Sequence, residues 1–148
     1  MSHIQSTHHS DQTQAEFPQA ELLRLFRLQM QSLDNPPKNG WLRGLAFAQK
    51  IWGRGKGAEV FADMAVLMDR VLTARKSPMR YGNPDCDCCA HKINPLENYL
   101  LRVVAAHWEG KPANAEPFAI FLSEANAHEQ IVKTAARLAA LLPKPAAL

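Results

Sequence analysis

A chain of 148 residues, 47% hydrophobic and 21% charged, has the size and polarity of one globular domain that buries its own core. No apolar run approaches the roughly 20 residues that cross a bilayer as a helix, which excludes a helical membrane span. The net charge of +3 is unevenly placed: residues 41–80 hold eight Lys and Arg against three Asp and Glu, a local +5, and the rest of the chain carries −2. Such asymmetry can attract a polyanion or an acidic protein face, and the favoured reading is a solvated helical surface.

The first sixteen residues, MSHIQSTHHSDQTQAE, are polar and include His3, His8 and His9. They lack the apolar stretch of a signal peptide, so the expected compartment is the cytoplasm. They bury too little to offset the entropy of ordering, so residues 1–16 are expected to be a disordered tail ahead of an all-helical domain over 17–143. Phe17 to Leu33 reads as the first helix, with Leu22, Leu25, Phe26, Met30 and Leu33 at steps of three and four. DNPPKNG (34–40) turns the chain. Trp41, Leu45, Ala48 and Trp52 mark one face of a second helix, which GRGKG (53–57) is expected to end, since each glycine costs a helix about 1 kcal/mol relative to alanine.

A third helix is predicted from about Ala58 to Lys76, striped by Phe61, Met64, Met68 and Val71. GRGKG lacks the P-loop pattern G-x-x-x-x-G-K-[ST] and has no strand before it. The helix after it is apolar over most of its surface, which argues against a DNA-recognition helix and makes nucleic acid an unlikely partner. SPMRYGNPDCDCCAHKI (77–93) has no helical period and reads as a long loop. Asn94-Pro95-Leu96-Glu97 is a helix start, with Asn94 as N-cap, Pro95 first and Glu97 in capping-box position. This fourth helix runs to about Glu109. A last helix is predicted from Pro117 to Leu142, with Phe121, Ala125, His128, Val132, Ala135, Ala139 and Leu142 as a heptad-like seam that could serve the core or a homodimer, and Asn126 as a candidate break. The whole reads as all-α, about five helices in one bundle-like domain.

All three cysteines fall in PDCDCCAH (84–91), between the third and fourth helices. In a reducing compartment, clustered thiols point to metal binding or redox work rather than to a structural disulfide. Thiolates and imidazole are the usual ligands of zinc, so Cys86, Cys88, Cys89 and His91, in some subset, are the candidate ligands of a structural or sensory metal. Cu(I) and an iron–sulfur cluster draw on the same donors. Adjacent residues of an extended chain point opposite ways, so Cys88 and Cys89 can face one ion only if the backbone turns tightly between them. His107 and His128 sit on apolar helical faces and are further candidates for a fourth ligand, with Glu124 four residues before His128 as a partner for its ring.

Two other readings stay open. A thiol–disulfide switch would need thiolate, which Asp85 and Asp87 disfavour and Arg80, Lys92 and the oncoming helix N-terminus favour. A metal-free helical adaptor would act through a protein partner or a second copy, using the last helix or the basic 41–80 section. No catalytic constellation of Ser–His–Asp or paired carboxylates stands out, which leaves no basis for reading an enzyme.

Overall fold

The structure is a computed structural model that describes residues 15–145. Its first helix, α1 (Gln19–Asp34), is buried on nearly every side in its middle turns, and Leu22, Leu25, Phe26 and Leu28 are fully buried. A helix of that kind belongs at the centre of a domain. The next two, α2 (Gly40–Trp52) and α3 (Arg54–Ala74), pack on each other, and α2 packs on α1. A second group follows the long loop: α4 (Pro95–Trp108), α5 (Glu116–Ser123) and α6 (His128–Leu141), each packed on the other two. The 21-residue α3 joins the groups by lying against α6, and Met64, Leu67 and Val71 share one core with Leu100, Val104, Ile131 and Leu138.

Among the described residues there are six α-helices, three short 3-10 turns and no strand, so the all-α reading holds. The tail expected over 1–16 falls outside the described residues except for Ala15 and Glu16. No helix among the described residues is long and apolar enough to cross a membrane.

The predicted helix boundaries shift at two places. GRGKG does not separate α2 from the third helix over its whole length, because α3 already begins at Arg54. The break needs only Gly53, whose φ of 92° lies in the region that favours glycine. Gly57 is retained within α3 for a different reason: a Cβ there would lie 2.4 Å from the carbonyl oxygen of Ala48, so the backbones of α2 and α3 cross too closely for any side chain.

The predicted last helix is two helices. Glu124, Ala125 and Ala127 all take left-handed backbone, with φ of 53°, 65° and 49°. Glu124 is held there by the segment just past α3, since its carboxylate accepts the backbone N–H groups of Lys76 at 2.6 Å and Ser77 at 3.2 Å. Asn126 donates to the Ala74 carbonyl at 3.2 Å. Of the predicted seam, Ala135, Ala139 and Leu142 are buried within the chain and Val132 is half-buried, while Ile131 and Leu138, which the seam did not include, are fully buried beside them. Phe121 is 59% exposed, as are Leu33 at 59% and Trp41 at 57%, three stripe positions that the core does not use.

Candidate metal centre

Between α3 and α4 the chain makes two tight turns that set the cysteines. Asp85 N–H bonds to the Asn83 side chain at 2.9 Å, and a 3-10 turn over Asp87–His91 follows, with Cys89 N–H on the Cys86 carbonyl at 3.1 Å and Lys92 N–H on the Cys89 carbonyl at 3.0 Å. A 3-10 turn has three residues per turn, so Cys86 and Cys89 come onto one side and Cys88 stands about 120° away rather than 180°. This is the tight turn that the adjacent pair Cys88 and Cys89 requires. The three Sγ atoms all lie within 4.8 Å of one another, Cys86 and Cys88 at 2.9 Å, and all three cysteines are free. Two thiolates on a tetrahedral zinc, each at about 2.3 Å, sit about 3.8 Å apart. The three thiols can hold a metal ion, and Cys86 and Cys88, at 2.9 Å, would part by about 0.9 Å to take two corners of one tetrahedral sphere. Cys88 is exposed, and Cys86 and Cys89 are half-buried.

The turn is held from behind by an ion pair that is out of water. Arg27, in the middle of α1, is 3% exposed, and Glu97, in the first turn of α4, is 0% exposed. Arg27 Nε and Nη2 donate to the two Glu97 oxygens at 2.8 and 2.9 Å, and its remaining donors reach the carbonyls of Cys89 at 2.9 Å and Lys92 at 2.6 Å. Glu97 also accepts the N–H groups of Gly82 at 2.9 Å and Asn94 at 3.1 Å, while Asn94 Oδ1 accepts the Glu97 N–H at 2.8 Å. The capping box read from the sequence is thus present, and its glutamate also binds the loop to α1. Burial alone would push the Glu97 carboxyl up; the Arg27 guanidinium and the Gly82 and Asn94 amides outweigh it and hold it below the ordinary carboxylate range.

A second set of contacts ties the front of the loop. Asp85 pairs with Arg43 of α2 and accepts Gln31 Nε2 at 3.1 Å. Arg24 donates to the Pro84 carbonyl at 2.9 Å, and Tyr81 donates to Asp34 at 2.7 Å. Hydrogen bonds from Arg43 and then Gln31 lower the Asp85 carboxyl to about 2.

Within the cluster the thiols act on one another. Hydrogen bonds from Cys88 and then Cys89 lower the Cys86 thiol to about 7, and the Cys89 backbone N–H helps. The same contact with Cys86 raises Cys88, and it raises Cys89 to about 11 with burial assisting. One sulfur therefore releases its proton easily and the other two keep theirs. The flanking charges weighed in the sequence are not the cause: Asp85 is already neutralised by Arg43.

Of the residues singled out in the sequence, the structure brings Cys86, Cys88 and Cys89 together and leaves His91 out of the group. His91 is exposed at the end of the 3-10 turn, about 6 Å along its axis from Cys88 at about 2.0 Å per residue. His107 is half-buried on α4 with Nε2 unbonded, and burial lowers its pKa. His128 opens α6, with Nδ1 3.7 Å from Glu129. Neither histidine belongs to the thiol group, and Glu124 binds the backbone just past α3 instead of orienting the His128 ring. Sequence reasoning missed Arg27, the one visible signal being a charge one turn from both Leu23 and Met30. No protein-family model, no curated protein and no solved structure matches the chain.

Proposed function

We propose that the cysteine turn is an exchangeable metal site, sensory rather than structural, that takes a thiophilic ion through Cys86, Cys88 and Cys89. Zinc is the ion we assign, with a water or an external ligand in the fourth position and Cu(I) as its competitor. The single observation that supports this reading is the convergence of three free thiols within 4.8 Å on a turn that Arg27 and Glu97 already fix. A structural zinc supplies the folding energy of its loop, and such loops collapse without it. Here the loop is also held by hydrogen bonds from α1, α2 and α4, which favours loading and release as the use of the sulfurs.

Elemental analysis of untagged protein, purified without affinity nickel, tests the proposal. About one equivalent of zinc should accompany the wild type and be lost from a Cys86→Ser/Cys89→Ser double variant. Chelation should strip the ion with the far-ultraviolet dichroism unchanged. Metal far below one equivalent, equal in both proteins, overturns the reading, and copper in place of zinc reassigns the ion.

A second reading is a metal-free adaptor or homodimer. What favours it is a groove of about 180 Å³ lined by Leu33, Trp41, Met68 and Leu72, whose exposed rim lies where α1 ends and α2 begins. The buried half of the α6 seam is used inside the chain, which moves this reading away from the last helix. Sedimentation decides it: a monomer at all concentrations, with no retained partner, removes it.

A further inference from the structure

We propose that the cavity between α1 and the cysteine turn receives a small acidic disulfide, and that Cys86 takes half of it as a mixed disulfide that Cys88 then resolves. The cavity measures about 190 Å³ and is lined by Ala20, Leu23, Arg24, Pro84 and Cys86 among others. Pockets for drug-sized ligands begin near 300 Å³, so this one seats one half of the disulfide, the size of an amino acid or short peptide, with the other half outside. Of the three cysteines, Cys86 lines it. Two arginines share the wall, and they differ in charge balance. Arg27 is neutralised by Glu97. Arg24 makes no ion pair among the described residues; it donates to the Pro84 carbonyl and stacks over Phe47 at 5.5 Å. The cavity thus offers one uncompensated cation, a short apolar floor and a sulfur, which complement a carboxylate, an aliphatic body and a disulfide.

The chemistry balances without any other reactant. The Cys86 thiolate attacks one sulfur of the disulfide, the S–S bond breaks, and one thiolate leaves as the mixed disulfide forms. Cys88, its Sγ 2.9 Å from that of Cys86, then attacks the Cys86 sulfur. The second thiolate leaves, and a Cys86–Cys88 disulfide remains; its bond length of about 2.05 Å needs an approach of about 0.9 Å. Two cysteine thiols are oxidised, one external disulfide is reduced to two thiols, and the two protons pass from the cysteines to the leaving sulfurs. The inference stands apart from the metal reading, because it concerns the metal-free chain. If that reading also holds, the same reaction empties the site by leaving Cys89 as the last free thiol.

The test uses full-length protein treated with chelator, with metal content measured on the same batch beforehand so that each reading fails separately. Glutathione disulfide, which is anionic, and cystamine, which is cationic, are the two probes, followed by intact mass and peptide mapping. With glutathione disulfide the wild type should lose two hydrogens and gain a Cys86–Cys88 link, while Cys88→Ser should retain one glutathionyl group on Cys86. Arg24→Gln should slow glutathione disulfide by about fivefold, the worth of one charge at about 4 Å in a water-like dielectric, without slowing cystamine. Arg24→Lys should restore the rate. First adducts on Cys88 or Cys89, equal wild-type rates with the two probes, or an Arg24→Gln variant that slows both alike would overturn the inference.

Discussion

A Cβ placed on Gly82 would lie 2.5 Å from the guanidinium carbon of Arg27. An arginine head usually swings away from such a clash at little cost. This one cannot, because Glu97, Cys89 and Lys92 hold it by four hydrogen bonds. Gly82→Ala should therefore destabilise the fold by about 1–3 kcal/mol, as forced overpacking does. A urea titration measures it, and an unchanged midpoint would show that the guanidinium is freer than its contacts imply.

The Arg27–Glu97 pair is expected to be costly to break from either side. Removing one partner of a buried pair strands the other charge, at about 3–5 kcal/mol. Arg27→Met and Glu97→Gln should each lose stability on that scale, and the double variant should lose less than their sum. Metal exchange should also become faster in Arg27→Met, because the Cys89 and Lys92 carbonyls lose their donors. Additive losses would mean that the two side chains act independently.

Among the candidate ligands, His91 and the cysteines should separate cleanly. His91→Ala should leave the metal stoichiometry as in the wild type, since its ring is outside the thiol group, whereas Cys86→Ser should abolish tight binding. Elemental analysis of the two variants side by side is the measurement. Metal lost from His91→Ala would place the imidazole in the coordination sphere.

Stability should fall in acid over a defined window. Asp85 is lowered to about 2 by Arg43 and Gln31, and Glu124 to about 2 by the Ser77 side chain and the Lys76 and Ser77 amides. A carboxylate depressed in the folded state stabilises it fully above its unfolded pKa of about 4, and that contribution disappears as the pH falls through the folded value. Melting temperatures should hold from pH 7 to 5 and drop progressively between about pH 4 and 2. In Asp85→Asn the decline should be shallower, and an identical pH profile would remove Asp85 from the account.

The start of α4 was legible residue by residue, because an N-cap, a proline and a capping glutamate are local signals within four positions. The all-helical class was legible from apolar periodicity, whereas the tight turn that gathers Cys86, Cys88 and Cys89 was only a condition the sequence left open. The second task of Glu97 was not, since its partner lies 70 residues away and only the folded chain puts them together. The division of the last helix was hidden more deeply. Every residue near it except Asn126 suits a helix, and the bend is imposed by backbone amides just past α3 that the local sequence does not contain.

That corner between α5 and α6 bears on the order of assembly. Alanines in left-handed backbone are strained by about 1–3 kcal/mol each and persist only where their surroundings insist. Cut loose as a peptide, residues 116–142 would straighten into one rod. The elbow can exist only after the segment just past α3 is in place to catch Glu124, so α6 docks as a clasp closing on a helix already formed.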